Sequence, residues 1–293
     1  EALPSFVQLE KILKGYDRRG NFLGLFFTDA FMLSDFFLVR SFLKWKNTYV
    51  VKMEEWMDIV SELDAAVSMA DFRYNHPEAT DAEIVDGSPV LFEAKNLYHP
   101  FLGAKAVKND FSIYDDNYYI ITGANMAGKS TFLRSLGVNY ILAMSGMPVF
   151  AGSLKVSRFQ LFSSMRTTDD LTHGISYFNA ELLRLEQLMQ FCKRGNLRTL
   201  IILDEILKGT NSLDKLNGSR LFLEAISRMP VTGVIATHDL ELSRMAESSP
   251  DRFHNYCFEI DLGTDVTYTY KIQPGVARNQ NATFLLNKIL ERN

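Results

Sequence analysis

Gly123-Ala124-Asn125-Met126-Ala127-Gly128-Lys129-Ser130 fits the eight-residue phosphate-loop pattern at every defining position. Each position has a physical task. The glycines permit a tight turn whose N–H groups converge on phosphate oxygens, and the helix that follows presents its positive N-terminus to the same anion. Lys129 supplies a point charge to the β- and γ-phosphates, and Ser130 a hydroxyl ligand for Mg²⁺. The flanks agree with this reading. Tyr118-Tyr119-Ile120-Ile121-Thr122 leads in as an apolar strand, and Thr131-Phe132-Leu133-Arg134 leads out as helix.

Two further strand ends carry chemistry. Leu200-Ile201-Ile202-Leu203 runs into Asp204-Glu205, 75 residues after Lys129. Successive side chains at a strand end point in different directions, so the two acids can take different tasks. Asp204 is the candidate metal ligand alongside Ser130, and Glu205 the group that polarises an attacking water. Gly233-Val234-Ile235-Ala236-Thr237 ends at His238, placed to sense the terminal phosphate. Lys129, Glu205 and His238 are thus the candidate catalytic set, with ATP and Mg²⁺ as cofactors. Strands alternating with helices predict an α/β fold with a mainly parallel sheet. Tyr256-Cys257-Phe258-Glu259-Ile260 and Val266-Thr267-Tyr268-Thr269-Tyr270 read as antiparallel strands joined around Gly263.

Upstream, residues 1–76 read as helical and end at His76-Pro77. Trp56, Ile59, Val60, Leu63, Val67 and Ala70 recur at helical spacing and predict a helix with one apolar face. Gly15 to Asn21 reads as a turn. Phe22 to Leu43 is apolar enough to raise a membrane span, but Asp29, Asp35 and Arg40 are costly at a bilayer centre, so a buried helical hairpin is expected. Apolar residues make up 47% and charged residues 23% of the 293, which excludes a disordered or fibrous chain. The 31 basic against 35 acidic residues give a net charge of −4 and argue against DNA binding through bulk positive charge. Cys192 and Cys257 stand in no metal or redox spacing, so a reducing, cytoplasmic setting is expected. The chain opens at Glu1, which suggests an excerpt or a processed form.

The run Thr122 to Thr131, with Asn125-Met126 after the first glycine, resembles the P-loop of the MutS mismatch-repair ATPases. Asp169-Asp170-Leu171 with Gly174-Ile175-Ser176-Tyr177-Phe178-Asn179-Ala180-Glu181, then Asp204 through Asp214, then Ala236-Thr237-His238 and Tyr270 through Gly275, resemble that family's later motifs in order. The resemblance covers about residues 55–285. It implies a P-loop NTPase of ABC type in residues 86–293, preceded by a helical lever or core-domain remnant in residues 1–85. It also implies a homodimer in which two copies pair head to tail. Ser176 would then reach the partner's γ-phosphate, Thr131 would extend the phosphate-binding run, and Tyr270 would stack on adenine. DNA would be engaged through the parent protein, and only weakly by this chain. Some positions depart from the family pattern. Ala127 stands for the usual glycine, and Ala106 and Val107 stand near the place of a base-facing aromatic. Leu207, Lys208 and Lys215 replace the usual glycine, arginine and glycine. Gln280-Asn281-Ala282 stands where the family has Ser-Tyr-Gly.

Two other function classes compete. A transporter-type subunit requires Leu-Ser-Gly-Gly-Gln shortly before the acid strand, and that run does not occur in the sequence. A nucleotide-gated interaction module with little hydrolysis, or an ABC/SMC-type ATPase of another process, is the remaining alternative.

Overall fold

The computed structural model describes residues 1–17, 33–87, 89–165, 177–194, 197–207, 211–262 and 266–278. The chain divides into two compact units, Glu1–Asn75 and His76–Asn293.

The first unit is a pair of helices, α1 (Ala2–Asp17) and α2 (Ser34–Asn75). They are joined by buried Ile12 and Trp45, and the Trp45 indole N–H donates to the Ser5 carbonyl at 2.9 Å. Along α2, Phe42, Trp45, Tyr49 and Trp56 follow one another with ring centroids 6.2 Å apart. The helical period of the sequence is therefore real, but the expected turn does not open at Gly15, because α1 runs through Gly15 to Asp17; the rest of that expected turn, residues 18–21, lies outside the described residues. The predicted apolar face of α2 also differs in its surroundings. Beyond Trp56, the residues Ile59, Val60, Leu63 and Val67 are all more than half exposed. Periodicity reports that a face exists and not what covers it. Among the described residues no helix is long and apolar enough to cross a membrane. Half of the Phe22–Leu43 stretch, residues 22–32, lies outside the described residues, and in the other half Leu33, Phe36, Phe37, Val39 and Leu43 are exposed and not buried as expected.

The second unit is α/β with two sheets. The smaller has the order β1-β5-β2-β3, built from Glu83–Val85, Ser153–Ser157, Leu91–Leu97 and Asn109–Tyr114. In it β2 runs antiparallel to both of its neighbours. The larger has the order β10-β9-β4-β8-β7-β6. Its strands are Val266–Pro274, Phe253–Leu262, Tyr118–Gly123, Val231–Thr237, Thr199–Asp204 and Gln160–Met165. From β9 to β6 every pairing is parallel, and β10 returns antiparallel along β9.

The three central strands β4, β8 and β7 are buried at every residue. This is why they read as unbroken apolar runs: both faces are covered, so no alternation with polar residues is needed. Side chains still alternate between two cores. Tyr119, Ile121, Ile202 and Val234 face the core shared with α3 (Lys129–Met144) and the smaller sheet. Tyr118, Ile120, Ile201 and Ile235 face the opposite core, which includes Leu188 of α4 (Tyr177–Arg194) and Leu223 of α5 (Ser212–Ile226). Each fully buried aliphatic side chain contributes roughly 1.5–3 kcal/mol relative to exposure. The two cores therefore fix the sheet firmly. The register then brings three strand ends level: Thr122 pairs with Thr237, and Asp204 with Ala236. A parallel sheet binds its ligands beyond this carboxyl edge.

Candidate nucleotide site

The loop from β4 to α3 is tightly constrained. Gly123 has φ +154°, and a methyl group there would stand 2.9 Å from the Phe258 carbonyl oxygen of β9. Gly128 has φ +110°, and its added methyl would stand 3.1 Å from Tyr270 Cδ1. Met126 between them is also left-handed, at φ 64°, and its side chain is exposed. Successive turns of this kind point backbone N–H groups into one concavity, which suits an anion. Ala127, in place of a second glycine, is 2% exposed and packs in the first core. Its methyl group thus points into the protein and not into the loop's mouth.

Lys129 is 5% exposed. Its ammonium donates to the carbonyls of Gly123 at 2.7 Å and Ala124 at 2.9 Å, and lies 3.2 Å from His238 Nδ1. His238 Nε2 is 3.1 Å from Glu205 Oε1. His238 Nδ1 also stands 3.0 Å from the Gly123 carbonyl oxygen: a ring protonated at Nδ1 donates to that carbonyl, and one protonated at Nε2 turns its Nδ1 lone pair to the Lys129 ammonium. Glu205 leaves the strand with φ 63°, a left-handed turn fixed by its backbone N–H donating to the Ala236 carbonyl at 2.9 Å. Strain of this kind, about 1–3 kcal/mol, persists where surrounding structure over-determines it and clusters at functional sites. Lys215 of α5 stands 3.9 Å from the other Glu205 oxygen. Asp204, at the end of β7, is 6% exposed.

Lys129, His238 and Glu205, scattered over more than a hundred residues of sequence, therefore stand in a chain of contacts with His238 in the middle. Asn125, Met126, Ala127, Gly128, Ser130 and Thr131 line a cleft of about 720 Å³ beside them. Tyr270 lines the same cleft from β10. Gly123 and Ala124 contribute the carbonyls that hold Lys129. Ser176, with Asp169-Asp170-Leu171 and the start of the Gly174 run, lies outside the described residues, as do Lys208 and Gln280 to Ala282. The cleft also recruits residues that sequence reasoning passed over. His99 lines it from the turn opened by Pro100, and Arg134 from α3. Arg134 had a usable signal: it follows Ser130 by four residues on a helix and so shares its face. His99 had none, because it reaches the cleft through the packing of the smaller sheet.

The donors present suit a metal shared with phosphates. Among the described residues no three or more His, Cys, Asp or Glu side chains gather as a metal cage. Mg²⁺ characteristically takes one or two protein ligands and leaves the rest to water and phosphate. Asp204, a buried carboxylate at the end of β7, and Ser130, a hydroxyl in the cleft wall, are donors of the kind such an ion takes.

Burial pushes the His238 imidazole below the ordinary histidine range, and the Lys129 ammonium adds to the effect, while Glu205 opposes it. The His238 side chain is 38% exposed. His99 is lowered in the same direction by burial and then by Arg134. A lowered folded pKa means that between the two values the unfolded chain binds more protons. Stability from these rings is complete above the unfolded value of about 6.5 and is lost as pH falls through the window below it. Thermal unfolding at fixed ionic strength from pH 7.5 to 5.5 should show a falling midpoint, and H238N/H99N should flatten that slope. An unchanged slope in the double variant would assign the acid sensitivity to other groups.

The family model described as MutS domain V matches residues 119–284, more than half of the chain. Among relatives, the DNA mismatch repair protein MutS of Staphylococcus carnosus (strain TM300) is 30% identical over 212 residues, covering 69% of this chain and 24% of that protein. The DNA mismatch repair protein MSH2 of Zea mays is 30% identical over 258 residues, covering 78% of this chain and 26% of that protein. The MutS protein of Rickettsia bellii (strain RML369-C) is 34% identical over 212 residues, covering 70% and 23%. The chain thus spans about a quarter of the length of the curated relatives it matches.

Proposed function

The chain belongs to the MutS family, and from that premise we propose that it is the ATP-binding and ATP-hydrolysing module of a MutS-like DNA repair protein. The observation that carries this reading is the contact chain Lys129–His238–Glu205 at the mouth of the phosphate loop. It joins a phosphate-binding cation, a polar relay and a carboxylate base at one sheet edge. That is what phosphoanhydride hydrolysis needs of a protein: positioning and electrostatics, with little covalent chemistry.

In the proposed mechanism the loop N–H groups and the N-terminus of α3 grip the β-phosphate. Lys129 trades its carbonyl partners for β- and γ-phosphate oxygens. His238 then reports the terminal phosphate to Glu205, which accepts the proton of the attacking water. Ser130 and Asp204 would hold Mg²⁺, which when bound neutralises charge on the β- and γ-oxygens. Tyr270 forms a wall for the base. The domain is of ABC type, and the helical unit, Glu1–Asn75, belongs to the lever that connects it to the rest of the parent protein; the boundary expected after residue 85 moves to His76, since Glu83–Val85 pairs with β5 of the second unit. Two copies pair head to tail, so that Ser176 of one completes the γ-phosphate site of the other. Nucleotide state is thereby coupled to the DNA bound by the parent, whether mismatched or branched.

The dimeric site is tested by light scattering on E205Q, which should trap the bound state. Adding ATP·Mg²⁺ should shift the mass from monomer towards dimer, and S176A should abolish that shift. A mass indifferent to nucleotide would remove the composite site from the proposal.

A further inference from the structure

Tyr270 occupies an improbable backbone conformation for its residue type. Its φ is 53°, in the left-handed region that an aromatic residue seldom enters. It also sits in a break of register: β10 and β9 pair up to Tyr268↔Ile260, resume at Ile272↔Phe258, and are irregular between. Bulges of this kind re-aim a side chain. Here the ring is turned over the phosphate loop, against Gly128, with Tyr268 stacked at 5.8 Å and 20°.

Two side chains hold that geometry. On the β9 side the Thr269 hydroxyl donates to the Glu259 carbonyl at 3.2 Å and accepts from the Lys271 N–H at 3.4 Å. On the other side stands Asn109, at the start of β3. Its side chain is buried, at 6% exposure. Its amide donates to the Tyr270 carbonyl at 3.1 Å and to the Val107 carbonyl at 3.3 Å, and its oxygen accepts from the Ile272 N–H at 2.9 Å. One carboxamide therefore supplies hydrogen bonds to the Tyr270 carbonyl and the Ile272 N–H, the backbone groups on either side of Lys271 just after the aimed ring. It ties them to the segment carrying Val107, which lines the same cleft.

We infer that Asn109 is a positioning residue for nucleotide binding: it sets Tyr270 as the shelf on which the base lies and acts on the ligand only through that ring. The inference rests on the proposed ATP site and goes beyond it, since neither the phosphate loop nor the acid pair requires this clamp. At Gly128 the Tyr270 ring stands next to Phe258, which lines the same cleft. The Asn109 amide is spent on carbonyls and does not read the base edge, so the shelf should favour any flat purine.

The test is a binding cycle on the whole chain, with ATP and inorganic tripolyphosphate as probes. Base–aromatic stacking implies that Y270A weakens ATP about tenfold. N109A should produce most of that loss, and N109A/Y270A should be no weaker than Y270A alone, because residues acting as one unit are non-additive. Tripolyphosphate should lose less than twofold in each variant. Equal losses for ATP and tripolyphosphate, or additive losses in the double variant, would overturn the clamp. Failure of the wild-type chain to bind ATP would instead remove the site on which it rests. Should N109A prove too unstable to titrate, Y270G supplies a second reading, since glycine adopts positive φ without strain. N109A must then lower the melting midpoint less in the Y270G background than in the Tyr270 background. An equal drop in both would also overturn the inference.

Discussion

E205Q should hydrolyse ATP about 10²–10⁴ times more slowly than the unaltered chain while binding it within a few-fold as tightly. The size follows from the role: removing a positioned general base raises the barrier by about 3–5 kcal/mol. The tight-binding half follows from geometry. Glutamine has the same shape, and its side chain can still stand beside His238 Nε2, now 3.1 Å from Glu205 Oε1. The left-handed turn at residue 205 is held by a backbone bond to Ala236, which the substitution does not touch. What is lost is basicity and the ion pair with Lys215. Single-turnover release of phosphate, measured beside equilibrium nucleotide binding, separates the two. A rate within threefold of the original would show that another group takes the proton and would revive the reading of a nucleotide-gated module. Loss of binding in step with rate would instead make Glu205 a structural support of the phosphate loop.

Why these residues could be found from sequence is a matter of local physics. Phosphate loop, acid pair and histidine each close a strand that is covered on both faces, and such strands announce themselves as continuous apolar runs. The edge elements give no comparable signal. β6, Gln160-Leu161-Phe162-Ser163-Ser164-Met165, is half polar because it borders the larger sheet, and only pairing with β7 makes it a strand. β5, Ser153–Ser157, does alternate, but five residues beside a long helix are too few to separate from a loop. The apolar stripe of α2 was legible as a period and illegible as an environment. Asn109 was invisible for a third reason. Its partners, Tyr270 and Ile272, lie on β10 at the far end of the sequence, and a single asparagine after Lys108 carries no pattern that could announce a tertiary clamp. Local motifs thus identified the groups gathered at the sheet's carboxyl edge, whereas the clamp on Tyr270 exists only in the folded chain.

K129M should bring the opposite pairing of effects: nucleotide binding collapses while the fold holds. In the proposed site the ammonium meets oxygens of both the β- and γ-phosphates. Hydrogen bonds to charged groups contribute about 1.5–3 kcal/mol each, so the loss should be about 10²-fold or more in ATP affinity. For the chain alone the ammonium is a burden as much as a support. It is 5% exposed, and it compensates its lost hydration with two loop carbonyls and an imidazole. Methionine matches its length, fills the same volume and needs no hydration. Against this stand the carbonyls of Gly123 and Ala124, which lose their donor, so the melting midpoint should move by only a few degrees in either direction. The substitution also has a signature that simple misfolding would not give. Lys129 is one of the causes holding His238 below the usual range, so its removal should raise the His238 pKa and weaken the acid sensitivity of unfolding. Titrating the His238 ring by NMR in both chains reads this directly. An unmoved His238 together with full ATP affinity would mean that the two side chains do not share a field and that the triphosphate is gripped elsewhere. That result would dismantle the contact chain on which the proposed activity stands.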